Sequence, residues 1–180
     1  MVLEGPPVVL FSLTELEHHP ILFDVTYAPG EILFDEGLSQ AGPLRAEGQA
    51  ELLRNTAGEI RVRGHLAVEM EGACDRCLEA ARFPVDEEFD LFYRPVPKKG
   101  GHGEVHLADG EIDLAFYEGE GVSLRDVLRE QILLSLPMQL FCRADCRGLC
   151  PTCGANRNLA PCGCPVAPRD PRLSGLDQIE

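Results

Sequence analysis

The sequence predicts an α+β protein: an antiparallel sheet or open partial barrel with one main packed helix, followed by a C-terminal cysteine-rich tail. Three observations predict it. Apolar and charged residues alternate with period two through most of the stretch from Ala46 to Tyr93. One segment, opening at Ser123, repeats its apolar residues at helical spacing. From Cys142 to Cys164, six of the eight cysteines fall within 23 residues, and no aromatic residue follows Cys142. The expected organisation is an acidic antiparallel β domain over 1–121, a helix packing on the sheet over 122–137, and a tail over 138–180.

The elements follow in chain order. Val8 to Leu13 and Ile21 to Tyr27 read as short strands, or as a strand with a neighbouring turn. Ala46, Gly48, Ala50 and Leu52 alternate with Glu47, Gln49 and Glu51. Ile60, Val62, Leu66, Val68 and Met70 alternate with Arg61, Arg63, His65, Glu69 and Glu71. Strict alternation with a charged opposite face marks half-buried antiparallel strands. Asn55-Thr56-Ala57-Gly58 between them supplies turn chemistry, so the pair reads as a hairpin. Val85, Glu87, Phe89, Leu91 and Tyr93 read as one face of a further strand, with Asp86, Glu88 and Asp90 facing water. Residues 95–103 are a Pro/Gly-rich loop, and Glu104 to Leu114 has room for one more short strand. Ser123 then starts the helix, with Asp126 in a near capping-box position. Leu124, Val127, Leu128, Ile132 and Leu134 are its expected apolar face, and Pro137 ends it.

The formal net charge of -14 is uneven. Residues 123–180 hold seven Lys/Arg and six Asp/Glu; residues 1–122 hold nine and 24, a net of -15. Such a body repels phosphate backbones, so basic proteins are its expected partners, unless the charge serves solubility alone. No stretch reaches the apolar length of a membrane span. No basic region followed by an apolar run opens the chain, so the cytoplasm is the expected compartment. There thiols stay reduced, and cysteine clusters hold metal more often than disulfides.

After Cys142 the larger aliphatic residues are few, too few to offset the entropy of ordering the segment. A structural zinc, worth roughly 10–16 kcal/mol, supplies the missing stability. Cys150-Pro151-Thr152-Cys153-Gly154 is a zinc-knuckle sequence, and Cys162-Gly163-Cys164 adds two thiols after an eight-residue loop. Cys150, Cys153, Cys162 and Cys164 are therefore the first choice of zinc ligands. A set using Cys142 or Cys146, four apart in sequence, is the second. Cys74-Asp75-Arg76-Cys77 stands open to three readings. It is a small turn with half-buried thiols, a second knuckle completed by the tail or by His102 and His106, or a thiol redox pair. His18-His19-Pro20 reads as a surface turn, and Glu87, Glu88 and Asp90 as a solvated face. No phosphate-binding glycine loop or nucleophile elbow occurs, no small-molecule substrate is evident, and no enzyme is expected.

Four blocks stand in order: CDRCLEAARFPV (Cys74 to Val85), LSLPMQLFC (Leu134 to Cys142), CRGLCPTCGANRNLAPCGC (Cys146 to Cys164) and DPRLSGL (Asp170 to Leu176). Together they resemble the YceD family of large ribosomal RNA subunit accumulation proteins. The resemblance implies a cytosolic bacterial factor, also found in plastids, that supports large ribosomal RNA accumulation or processing during large-subunit assembly. It implies no catalytic activity. Its C-x-R-C block falls on Cys74, Arg76 and Cys77. Some family members lack the terminal cysteine block, so metal binding there marks this branch. The expected partners are a large-subunit ribosomal protein or assembly factor on the acidic sheet, and large-subunit ribosomal RNA or a second protein on the tail. Arg76, Arg143, Arg147 and Arg157 are the candidate contacts. The alternative function is a cytosolic thiol redox protein or sensor using Cys74 and Cys77.

Overall fold

The computed structural model describes residues 9–34, 37–96 and 114–165. The chain divides into two compact units, Met1–Glu71 with Arg82–Met138, and Gly72–Ala81 with Gln139–Glu180. The elements are β1 (Leu10–Ser12), α1 (Leu13–Leu16), β2 (Ile21–Tyr27), β3 (Ser39–Gln40), β4 (Leu44–Leu52), β5 (Ile60–Ala73), β6 (Ala80–Pro95), β7 (Leu114–Tyr117), β8 (Gly121–Ser123) and α2 (Leu124–Leu134). Among the described residues, no helix is long and apolar enough to cross a membrane.

The first unit is mostly sheet. Its strands run β2-β4-β5-β6-β7, with β3 pairing β5 off this path. β4 and β5 form the expected antiparallel hairpin, in register from Arg45↔Ala67 to Leu52↔Ile60. Its turn uses Asn55 and Gly58 at positive φ, and the Thr56 hydroxyl donates to the Leu53 carbonyl at 2.7 Å. The sheet is mixed rather than wholly antiparallel, because β7 pairs parallel to β6. A parallel neighbour needs a crossover of a dozen or more residues, and the chain between Pro95 and Leu114 is long enough to supply one. The strand expected over Glu104 to Leu114 lies outside the described residues except for Leu114, as do His102 and His106. β1 and β8 form a separate antiparallel pair.

The core draws on Phe11, Phe23, Tyr27, Leu44, Leu66 and Met70, and one hydrophobic cluster joins these to Leu124, Val127, Leu128 and Ile132 of α2. Ser123 is the N-cap of α2, although its side chain makes no capping hydrogen bond. Leu134, expected on the apolar face, is 73% exposed. At about 100° per residue it falls only about 20° from Val127, but it is the last residue of α2, where the apolar stripe runs out. Glu87 shares the inner parity of β6 with Val85 and Phe89 but is exposed, with Glu88 and Asp90, as the solvated-face reading expects. Val85 and Phe89 on either side of it are buried, so the charged side chain gives way to water where its apolar neighbours do not. In the middle of the sheet Gly48 and Gly64 face each other across β4 and β5. The Phe23 ring covers the space their missing side chains leave.

The charged face of β5 pairs with its neighbours. Arg61 binds Asp90 through two hydrogen bonds of 2.6 and 2.8 Å, and His65 Nε2 lies 2.6 Å from Asp86. The Arg61 hydrogen bond holds the Asp90 carboxyl below its ordinary pKa. A depressed folded-state pKa contributes stability above the unfolded value, and that contribution is lost as pH falls through the folded one. Asp90→Asn is therefore expected to cost at most about 1 kcal/mol at neutral pH, because the pair is solvent-screened. Thermal melts should show the difference from the parent vanishing in acid and shrinking in salt.

Candidate metal centre

The second unit owes its shape to tight turns. Between β5 and β6, Cys74 N donates to the Glu79 carbonyl and Leu78 N to the Cys74 carbonyl, both at 2.8 Å, with Leu78 at φ 63°. This turn points two thiols the same way. Asp75 then grips the later segment twice: its N–H donates to the Leu140 carbonyl at 2.8 Å, and its carboxylate accepts from Leu140 N at 2.7 Å. Arg76 adds a third tie. Its guanidinium lies 4.1 Å from the Phe141 ring centroid and donates to the Cys146 carbonyl at 3.1 Å. Leu149 N donates to the Arg76 carbonyl at 2.9 Å, a close approach that Gly148, at φ 68°, permits. A Cβ on Gly148 would sit 2.9 Å from that carbonyl oxygen.

The result is a cluster of Cys74, Cys77, Cys142 and Cys146, whose sulfurs all lie within 4.8 Å of one another. Cys77 and Cys142 are 3.6 Å apart and Cys74 and Cys146 3.8 Å. Cys74, Cys77 and Cys146 are buried and Cys142 half-buried. The small core around them consists of Ala81 with partly buried Leu140, Phe141 and Leu149, so the thiols themselves make up much of it.

A second cluster gathers Cys150, Cys153, Cys162 and Cys164, again with all sulfurs within 4.8 Å. Here Gly154, at φ 72°, turns the chain back so that its N–H reaches the Cys150 carbonyl at 2.9 Å. Leu149 and Asn156 pair as an antiparallel bridge, which closes the turn that carries Cys150 and Cys153. This cluster is more open: Cys150 is buried, Cys162 and Cys164 are half-buried, and Cys153 is exposed.

The electrostatics of both clusters favour a cation. Burial raises the Cys74 pKa, but backbone N–H groups of Cys142, Arg76 and Cys77 outweigh it and bring the thiol down to about 6. The Cys153 and Thr152 amides do the same for Cys150, also to about 6. Their neighbours go the other way. Burial and the adjacent thiols push Cys142 up to about 12, and Cys153 with burial pushes Cys164 to about 12. The Asn158 amide lowers Cys146. Each cluster thus ionises readily at first and resists its last charge, a repulsion that a bound dication removes. Four convergent thiols are the donor set of a soft, tetrahedral ion.

The structure brings the first-choice ligands, Cys150, Cys153, Cys162 and Cys164, to one place. It sets Cys142 and Cys146 with Cys74 and Cys77, the reading in which the tail, rather than His102 and His106, completes that pair. The Cys74–Cys77 segment is a turn between strands and opens no helix, and both thiols are buried. Arg143, Arg147 and Arg157 are exposed, with Arg143 Nε 3.4 Å from Asp145. The Arg76 guanidinium is occupied by Phe141 and Cys146. Sequence inspection missed Asn156 and Asn158. Asn158 Nδ2 donates to Cys146 Sγ at 3.3 Å and its Oδ1 accepts from Arg147 N at 2.8 Å, while Asn156 reaches Glu79 at 3.2 Å. The signal is a polar Asn-x-Asn inside a loop flanked by candidate ligand cysteines.

Over residues 62–180 the chain matches the family described as large ribosomal RNA subunit accumulation protein YceD. It is 27% identical over 145 residues to a Zea mays protein, "Large ribosomal RNA subunit accumulation protein YCED homolog 1, chloroplastic", covering 68% of this chain and 48% of the relative. It is 28% identical over 149 residues to a Mycobacterium tuberculosis protein named as uncharacterized, covering 82% of this chain and 64% of the relative. It is 22% identical over 176 residues to Bacillus subtilis YlbN, also named as uncharacterized, with 94% of each chain covered. This chain thus spans about half the length of the maize relative and under two-thirds of the mycobacterial one. No solved structure matches it. With the family match spanning both cysteine clusters and strands β6 and β7 with nearly all of β5, the chain belongs to the large ribosomal RNA subunit accumulation protein YceD family.

Proposed function

We propose that the protein is a non-enzymatic, cytoplasmic ribosome-biogenesis factor that supports large-subunit ribosomal RNA accumulation or processing and large-subunit assembly. The observation that carries this is membership of the YceD family over residues 62–180. The charge distribution supports a division of labour. Residues 1–122, at a net of -15, hold a basic large-subunit ribosomal protein or assembly factor. The cysteine module offers Arg143, Arg147 and Arg157 to large-subunit RNA or a second protein. Zinc bound by Cys150, Cys153, Cys162 and Cys164 gives these arginines a stiff base, and the only chemistry it supplies is structural. Four thiolates around one zinc carry about two negative charges, so any RNA contact is modest and salt-sensitive.

Depletion of the protein from growing cells tests this. Sucrose-gradient profiles should show the large-subunit peak falling against the small-subunit peak, with large-subunit RNA declining in step. Pull-down should recover a basic large-subunit protein. Unchanged profiles, or tight binding of naked large-subunit RNA at physiological salt, would contradict it. A thiol redox role at Cys74 and Cys77 gains no support from thiols buried against two other cysteines, since reactive thiols sit in accessible sites.

A further inference from the structure

We propose that Cys74, Cys77, Cys142 and Cys146 form a second, separate zinc site, three of its four ligands buried, and that the module therefore carries two ions of unequal lability. The geometry is that of one ion. Zinc–sulfur bonds of about 2.3 Å in a tetrahedron set the sulfurs about 3.8 Å apart. The two closest pairs here are at 3.6 and 3.8 Å, and the remaining distances stay within 4.8 Å. An iron–sulfur cluster shares its cysteines among several irons and spreads them wider. All eight cysteines are free thiols, so no disulfide already joins these pairs.

The site has the outer partners that metal centres use. Cys146 Sγ accepts from Asn158 at 3.3 Å, and Asp75 and Arg76 lock the turn that carries Cys74 and Cys77 to Leu140, Cys146 and Leu149. Its ligands come from distant positions, 65 and 72 residues apart for the two close pairs. An ion here closes a long chain loop, as a cross-link would. Asn158 belongs to the loop between Cys153 and Cys162, so the outer site's own loop supplies a donor to the inner site. The inner ion is the slower to leave, because three of its ligands are buried, whereas Cys153 of the outer set is exposed.

Metal counting on the purified full-length chain by native mass spectrometry tests the proposal independently of any ribosomal role. Two zinc ions per chain are expected, one released quickly to a chelator and one slowly. Cys153→Ser with Cys164→Ser should remove the fast ion alone and leave one. Cys77→Ser with Cys142→Ser should remove the slow one, and should that variant fail to fold, the first variant still decides the matter. Asn158→Ala should weaken retention of the slow ion by about 10–100-fold. A single ion per chain that the Cys153/Cys164 variant abolishes would overturn the second site. So would disulfides found between Cys77 and Cys142 or between Cys74 and Cys146.

Discussion

Stripping the ions from the intact chain is expected to dissolve the cysteine module while the sheet stays folded. The reason lies in what each unit has to bury. The first unit encloses Phe11, Phe23, Tyr27, Leu44, Ile60, Leu66 and Met70, with the apolar side of α2 in the same cluster. The second encloses cysteines and Ala81, flanked by Leu140, Phe141 and Leu149 only partly buried. Ordering each residue costs about 1–2 kcal/mol of backbone entropy, and a core this small does not offset it. A structural zinc contributes roughly 10–16 kcal/mol, comparable with the whole stability of an ordinary domain. Arg143, Arg147 and Arg157 make the effect measurable. In the stripped protein trypsin should cut after them at least roughly a hundredfold faster than in the zinc-loaded protein, since cleavage follows local opening. Added zinc should restore resistance.

Gly48→Val should strongly destabilise the sheet where no catalytic or metal group is touched. Gly48 and Gly64 stand opposite each other in adjacent antiparallel strands. A Cβ on Gly48 would lie 2.6 Å from Gly64 Cα and 2.8 Å from Phe23 Cζ, and would press on the Arg63 carbonyl. Backbone of a central strand has little room to yield, and the Phe23 ring is itself packed 5.6 Å from Phe11. Overpacking of this kind costs about 3 kcal/mol or more. Urea denaturation should show the midpoint falling accordingly, whereas Gly42→Ala, with nothing within 4 Å, should leave it nearly unchanged.

The parts of the fold legible in the sequence are those where one residue's environment repeats along the chain. β4 and β5 bury one face and wet the other, so Ala46 to Met70 spell out their strands and even the turn between them. α2 announces itself through Leu124, Val127, Leu128 and Ile132 in the same way. β1, β3 and β8 are two or three residues long, too short for a period to register. The parallel pairing of β7 with β6 depends on a crossover whose direction no local pattern carries. The cysteines divide along the same line. Cys150, Cys153, Cys162 and Cys164 are close neighbours in sequence, and their spacing alone suggested a shared site. Completion of the Cys74–Cys77 pair by the tail stands as one of three readings, while Cys142 and Cys146 read as a second choice of ligands beside that set. Their partners stand 65 and 72 residues earlier, brought there by Asp75, Arg76 and Gly148, and nothing in the local spacing distinguishes the two destinations.

Amide hydrogen exchange on the full-length chain, zinc-loaded and then chelator-stripped, tests most directly whether ions hold the second unit together. Loss of protection is predicted throughout Gly72–Ala81 and from Gln139 to Pro165, with β4, β5 up to Glu71 and α2 unchanged. Protection that survives complete removal of metal in Leu149, Cys150 and Arg157 would contradict the account.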